Sequence, residues 1–252
     1  MAHGLGLSSA HNYYVNVDYP PEINGLILWL KYNTDYSSSA GETSHKHDLD
    51  DGDGIRRWED RSGQENHAVQ NTISGMPKYQ ISDGSLLWES SSYWFNLTSS
   101  ITMLEGVDFT LIMRVKFAST DDGTMFGHDS NNLFNIHNTG GFRVKIENDE
   151  NNDFISLEDT IDTGTFYTIM LIRSGGNLKI YVNGGDHEDK DWDSDGIQED
   201  SGVFTISNIG ASADDTTELN GSVKDVLIYR AALTARQRDL MYSYLDGQLG
   251  VS

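Results

Sequence analysis

The sequence predicts an all-β sandwich closed by one short C-terminal helix. Three observations carry this. Segments with a two-residue period recur along the chain, the clearest being Phe109-Thr-Leu-Ile-Met-Arg-Val-Lys-Phe117. Turn signals fall between such segments at Asp122-Gly123, Gly140-Gly141 and Gly175-Gly176. A helical pattern follows Thr234, and no crossover helices separate the strands before it.

The chain opens with an extended arm, residues 1–23, ahead of a single domain over residues 24–252. Gly4, Gly6, Ser8 and Ser9 favour flexibility, and Pro20-Pro21 closes the segment. Tyr13, Tyr14, Val15 and Val17 interrupt its polarity. The arm reads either as a disordered leader or as a segment that orders against a neighbouring subunit, with those four residues docking.

From Gly25 the strands begin. Leu26, Leu28 and Leu30 share one face and Ile27 and Trp29 the other, which predicts burial on both sides. In the next long strand Phe109, Leu111, Met113, Val115 and Phe117 point inward, while Thr110, Arg114 and Lys116 predict a wet face. Phe142–Ile146 and Leu178–Val182 repeat the alternation, the latter before an Asn183-Gly184 turn. Phe166–Ile172 is nearly continuous apolar and reads as a central strand. Shorter strands are expected at Leu86–Trp88, Trp94–Leu97, Met125–Phe126, Leu133–Ile136 and Phe204–Ile209. A last strand runs through Val226, Leu227 and Ile228. Thr234 and Gln237 then have the spacing of a capping box, and Gly247 and Gly250 are natural stops. No internal repeat suggests a propeller or solenoid.

Composition narrows the function. The 252 residues are 37% hydrophobic and 10% aromatic, enough for one large core. Net charge is −22, from 39 acids and 17 bases. That argues against nucleic acid and anionic membranes, and suits saline surroundings, calcium or a basic partner. No apolar run approaches the roughly 18 residues of a membrane span, so membrane insertion is not expected. Without cysteine there is no disulfide framework. Residues 1–10 lack the basic start and apolar stretch of a secretory signal.

Two segments carry a family likeness. Residues 25–70 hold an opening strand and the turn Trp58, Asp60, Ser62, Gly63 and Asn66, in a Trp-x-Asp-x-Ser-Gly-x-x-Asn pattern. Residues 220–250 hold a strand and helix with Arg238 and Tyr244-Leu245. Over about residues 24–250 the chain resembles the LamG-like branch of the concanavalin A-like lectin/glucanase superfamily. That resemblance implies a jelly-roll β-sandwich of two curved antiparallel sheets, and says little about function. The chain departs from the pattern at Tyr32–Asp51 and Gly185–Gly202, both longer and more polar.

Those two departures hold the candidate metal sites. Asp48, Asp50, Asp51 and Asp53 put hard oxygens around glycines on one tight turn, as calcium requires. Asp189, Asp191, Asp193 and Asp195 follow a D-x-D-x-D-G spacing. Counted from Asp191, the twelfth residue is Gly202 rather than Glu, so this is not a full EF-hand. Residues 186–200 nonetheless hold eight acids and one lysine. The plain alternative is a solvated acidic loop. His45, His47 and Asp48 could bind a transition metal, but read better as surface residues.

For glycans, Trp192 is the expected exposed platform, with His128, Asp129, Asn131 and Asn132 as a polar loop. Trp29, Trp58, Trp88 and Trp94 are expected in the core. Paired carboxylates for hydrolysis are harder to find. Glu147-Asn-Asp-Glu150 lacks an E-x-D-x-E spacing and lies in a polar turn, and Glu158-Asp159 is loop-like. No G-x-S-x-G elbow, H-E-x-x-H helix or phosphate loop is present. The expectation is therefore no enzyme. The sequons at Asn96 and Asn220 bear on function only after secretion.

These features give a first expectation of a structural or adhesive component of a larger assembly. A phage virion decoration, fibre or neck protein, docked on other virion proteins by its arm and exposed on the particle, fits best. The alternatives are an extracellular, calcium-dependent lectin-like module for cell-surface glycans, and a glycan hydrolase or lyase. A homo-oligomer is left open.

Overall fold

The computed structural model describes residues 20–32, 36–38, 49–89, 93–121, 123–137, 140–146, 153–155, 161–183, 202–213 and 217–246. In chain order the strands are β1 (Leu26–Lys31), β2 (Tyr36–Ser38), β3 (Ile55–Trp58), β4 (Ala68–Val69), β5 (Lys78–Gln80), β6 (Ser85–Trp88), β7 (Phe95–Met103) and β8 (Phe109–Phe117). They continue as β9 (Gly123–Asp129), β10 (Asn132–His137), β11 (Gly141–Lys145), β12 (Asp153–Ile155), β13 (Phe166–Ser174), β14 (Asn177–Val182), β15 (Phe204–Ile209) and β16 (Gly221–Tyr229). One helix, α1 (Ala235–Leu245), follows.

The strands form two antiparallel sheets, as the alternation predicts. The seven-stranded sheet runs β14-β13-β8-β16-β6-β5, with β1 also paired to β16. The nine-stranded sheet runs β12-β11-β10-β9-β15-β7-β4-β3-β2. Their inner faces meet in one core. Phe109, Leu111, Met113, Val115 and Phe117 from β8 face Phe95, Phe126, Phe134 and Phe204 of the other sheet. Phe109 stacks on Phe204 at 5.7 Å, and Trp88 meets the edge of Phe95 at 5.9 Å.

β1 is buried on both sides, as expected. Leu28 and Leu30 enter the inter-sheet core, while Trp29 lies in a second cluster under α1. The capping box of α1 is present, Thr234 accepting from the Gln237 N–H and Gln237 returning to the Thr234 N–H. The helix buries Met241, Tyr242, Tyr244 and Leu245 against Ile112, Met170, Leu227 and Tyr229.

This packing corrects the expected wet face of β8. Thr110 and Ile112 are buried because α1 and the turn before it lie over them. Thr110 stays satisfied, donating to the Ala231 carbonyl at 2.8 Å and accepting from the Leu233 N–H at 3.2 Å. Only Arg114 and Lys116, beyond the helix, keep partial exposure. Trp94 is a second correction: it precedes β7 and is half-buried, whereas Trp29, Trp58 and Trp88 are fully buried. The helix closes at Asp246, and both predicted glycine stops lie outside the described residues. Among the described residues, no helix is long and apolar enough to cross a membrane.

The Trp58–Asn66 motif is a clasp between β1 of one sheet and the turn after β3 of the other. Asp60 Oδ1 accepts the N–H groups of Trp29 and Ser62, each at 2.9 Å. Its Oδ2 accepts from Ser62 Oγ and the Asn66 N–H, each at 2.9 Å. Trp58 Nε1 donates to the Lys31 carbonyl at 2.9 Å, and Asn66 Nδ2 to that of Ile27 at 2.8 Å. Gly63, at φ +84°, turns the chain where a side chain would strain it.

Candidate functional site

Two carboxylates of the first acidic turn accept backbone N–H groups, one within the turn and one beyond β5. Asp53 Oδ2 accepts the Asp50 N–H at 3.0 Å, and Asp51 Oδ1 accepts the Ile81 N–H at 2.8 Å. The Gly52 N–H donates to Tyr79 at 2.8 Å, which docks the turn on β5. Among the described residues, no group of three or more His, Cys, Asp or Glu gathers as a metal site. Asp48 lies outside the described residues, as do Asp189, Asp191, Asp193, Asp195 and Trp192. So do Tyr13, Tyr14, Val15 and Val17 of the arm, the pair His45 and His47, and the acids Glu147, Glu150, Glu158 and Asp159.

The predicted polar loop is the hairpin between β9 and β10. Asp129 Oδ1 accepts from the Asn131 N–H at 2.9 Å and from Asn132 Nδ2 at 3.1 Å. The buried Asn132 passes this order on, its Oδ1 accepting the Thr205 N–H at 3.1 Å. Asp129, Asn131 and Asn132 therefore hold the turn and tie it to β15. His128 differs, with its side chain 40% exposed.

From His128 a run of hydrogen-bonded side chains crosses β9, β15 and β7. His128 Nδ1 lies 2.9 Å from Ser207 Oγ. Ser207 donates to Asn208 Oδ1 at 2.5 Å, and Asn208 Nδ2 donates to Asn96 Oδ1 at 2.9 Å. A serine hydroxyl has one hydrogen, and here Asn208 takes it. With that hydrogen on Asn208, the Nδ1–H tautomer of His128 completes the run, and a neutral ring then offers Nε2 as an acceptor. Nε2 stands 4.0 Å from Asp129 Oδ2. At the far end Asn96 is exposed, with its amide hydrogens directed away from Asn208. The run thus presents an acceptor at one end and a donor at the other, two strand spacings or about 10 Å apart.

Gly127 shapes the ground beside it. This residue pairs with Asn208, and a Cβ there would sit 2.5 Å from the Ala211 carbonyl oxygen and 2.8 Å from Ser212 Cβ. Bare backbone lets residues 211–213 cross β9, where the Ala213 N–H donates to the His128 carbonyl at 3.1 Å. Sequence reasoning found His128 but missed Asn96, Ser207 and Asn208. A signal was present, since asparagine is depleted in strands and here two of them are cross-strand partners.

Comparisons with known proteins agree with this architecture. The family model Laminin_G_3, described as concanavalin A-like lectin/glucanases superfamily, matches residues 90–237. No curated protein matches the chain in sequence. Among solved structures, a Trypanosoma rangeli sialidase in complex with sialic acid aligns at TM-score 0.53 and 13% identity, over 91% of this chain and 34% of that one. An arabinofuranosidase complexed with arabinofuranosyl-alpha-1,2-xylobiose aligns at 0.58 and 9%, over 87% and 62%. Domain 4 of AbnA, an extracellular arabinanase from Geobacillus stearothermophilus, in complex with arabinotriose, aligns at 0.54 and 15%, over 86% and 98%. The chain thus spans about a third of the sialidase and under two thirds of the arabinofuranosidase.

At these identities the likeness is one of fold. It still corrects the expectation of no enzyme, because these three structures come from glycoside hydrolases and the fold is compatible with a glycan hydrolase. With the family model covering more than half of the sequence and the two sheets closed by the strand and helix of residues 221–245, the chain belongs to the Laminin_G_3 family of the concanavalin A-like lectin/glucanase superfamily.

Proposed function

We propose that the chain is a glycan-recognition module that holds a saccharide along the run from His128 to Asn96. The carrying observation is the direction of that run: Ser207 donates to Asn208 and Asn208 to Asn96, which leaves the Asn96 amide hydrogens at one end and His128 at the other. Sugar hydroxyls both donate and accept, so they match such a row. Thr102 and Thr205, whose hydroxyls lie 3.3 Å apart, form a separate polar pair on the same two strands. The complexes of relatives with arabinotriose, an arabinofuranosyl xylobiose and sialic acid support a glycan as the ligand class.

Calcium at Asp48–Asp53 and at Asp189–Asp195 belongs to the same reading, as a cation that would stiffen the acidic loops rather than touch the run. Display on a virion through the arm rests on residues outside those described and adds nothing to the site.

Calorimetry with arabinotriose, xylobiose and sialyllactose tests the proposal. Asn96→Ala and Asn208→Ala should each weaken the bound sugar about tenfold, the cost of one or two lost hydrogen bonds. Unchanged affinity in both variants would sink it. Reducing-end release, measured on the same sugars, reports hydrolysis directly.

A further inference from the structure

The opposite face of the molecule carries an irregularity in its strand pairing. β16 is the central strand of the seven-stranded sheet, and its pairing with β8 slips between Val223 and Asp225. Val223 opposes Val115 and Asp225 opposes Arg114, so Lys224 is an extra residue on β16. Val223 and Val226 both enter the core, which leaves Lys224 and Asp225 together on the outer face. Bulges of this kind re-aim side chains and cluster beside functional sites. The Tyr32 N–H pins this one, donating to the Lys224 carbonyl at 2.7 Å.

The bulge gathers cations on a chain whose net charge is −22. Asp225 lies opposite both Lys31 and Arg114. Arg114 pairs with Asp246, and Lys116 pairs with Asp83. Lys224 has no ion-pair partner among the described residues; its ammonium sits 4.2 Å from the centroid of Phe166, and that of Lys116 sits 5.0 Å from the same ring. Burial, and then the adjacent Arg114, hold the Lys224 ammonium below the ordinary lysine range. Asp83 and Asp225 attract this half-buried ammonium, but each is shared with other cations, Asp83 with Lys116 and Asp225 with Lys31 and Arg114.

We propose that Lys224, Lys116 and the half-exposed Phe166 form a second site, for a singly charged acidic sugar of the uronate class. The carboxylate meets the Lys224 ammonium, and the sugar ring lies beside the phenyl ring. The half-exposed Gln80 of β5, whose Oε1 accepts from the buried Ser222 at 3.3 Å, supplies a polar contact for hydroxyls. A single charge fits better than a polyanion, because the field of the whole chain repels polyanions.

The test is calorimetry with galacturonate, with galactose as the neutral control and polyglutamate as the peptide alternative. Galacturonate should bind and galactose should not. Lys224→Met keeps the stem over Phe166 and removes the charge, and should weaken galacturonate at least tenfold. Asn96→Ala, on the other sheet, should weaken arabinotriose and leave galacturonate unchanged, so the two sites fail separately. Equal affinity for galacturonate and galactose would overturn the proposal. So would an unaffected Lys224→Met variant, or binding of polyglutamate without galacturonate.

Discussion

The carboxylate of Asp60 accepts the backbone N–H of Trp29 at 2.9 Å, across thirty-one positions of sequence. That bond ties β1 to the turn after β3, and so joins one sheet to the other. Both Asp60 oxygens act only as acceptors, for two donors each. Asp60→Ala should cost on the order of 3 kcal/mol in urea unfolding. Asp60→Asn should cost nearly as much, because its amide hydrogens would face other donors. A mild Asn variant would show that shape rather than charge holds the clasp.

Arg173 anchors the rim above the same core. It is fully buried, lies 4.6 Å from the centroid of Phe109, and donates to the carbonyls of Val107 at 2.8 Å, Leu104 at 2.7 Å and Gly202 at 2.7 Å. Lysine cannot span three acceptors in a fork. Arg173→Lys should therefore lower stability by about 2–3 kcal/mol, read as a drop in melting temperature.

Asp225 gives the molecule a pH signature. Burial raises its carboxyl to about 6 from 3.8, against the pull of Lys31, Arg114 and Lys224. A carboxyl raised on folding binds its proton more tightly in the native state. Its contribution is therefore full below pH 3.8 and declines until about pH 6, above which the loss is constant. Asp225→Asn should show no such decline, and gain on the wild type by on the order of 1 kcal/mol at neutral pH, after screening of a partly exposed group. Parallel stability curves for the two proteins would refute the assignment.

Gly127 should tolerate no side chain. Gly127→Ala puts a Cβ within 2.5 Å of the Ala211 carbonyl oxygen, so residues 211–213 must move. Arabinotriose binding should fall more than the melting temperature does, since the displaced segment borders His128 and lies outside the core. Wild-type affinity in a folded variant would remove Gly127 from the site.

Tyr229 offers a test in the other direction. Its hydroxyl is buried with no hydrogen-bond partner among the described residues, and burial holds the phenol well above its ordinary range. Tyr229→Phe should be neutral or stabilising by about 1 kcal/mol in thermal unfolding.

What the sequence revealed follows from what each signal depends on. Alternation of apolar residues depends only on neighbours in the chain, so β8, β13, β14 and β16 were legible. The Thr234–Gln237 capping box is local for the same reason. The face of β8 was misjudged because what covers Thr110 and Ile112 comes from residues more than a hundred positions later. The hydrogen-bonded run was legible only at His128, which sits in a polar turn. Ser207 and Asn96 look like ordinary outward strand residues until the register brings Asn208 beside Asn96. The bulge at Lys224 leaves no mark in composition, because one residue more in a strand alters neither charge nor hydropathy.

The place of β16 has a consequence for how the chain becomes folded. This late strand lies between β8 and β6 and also carries β1, so three parts of the seven-stranded sheet meet only through it. Until residues 221–229 have left the ribosome, β8 with β13 and β14 is one fragment, and β5 with β6 another. The sheet therefore cannot assemble from the N-terminus onward during synthesis. It must wait for its closing strand, with long-range pairings that make folding slow and leave strand edges open meanwhile.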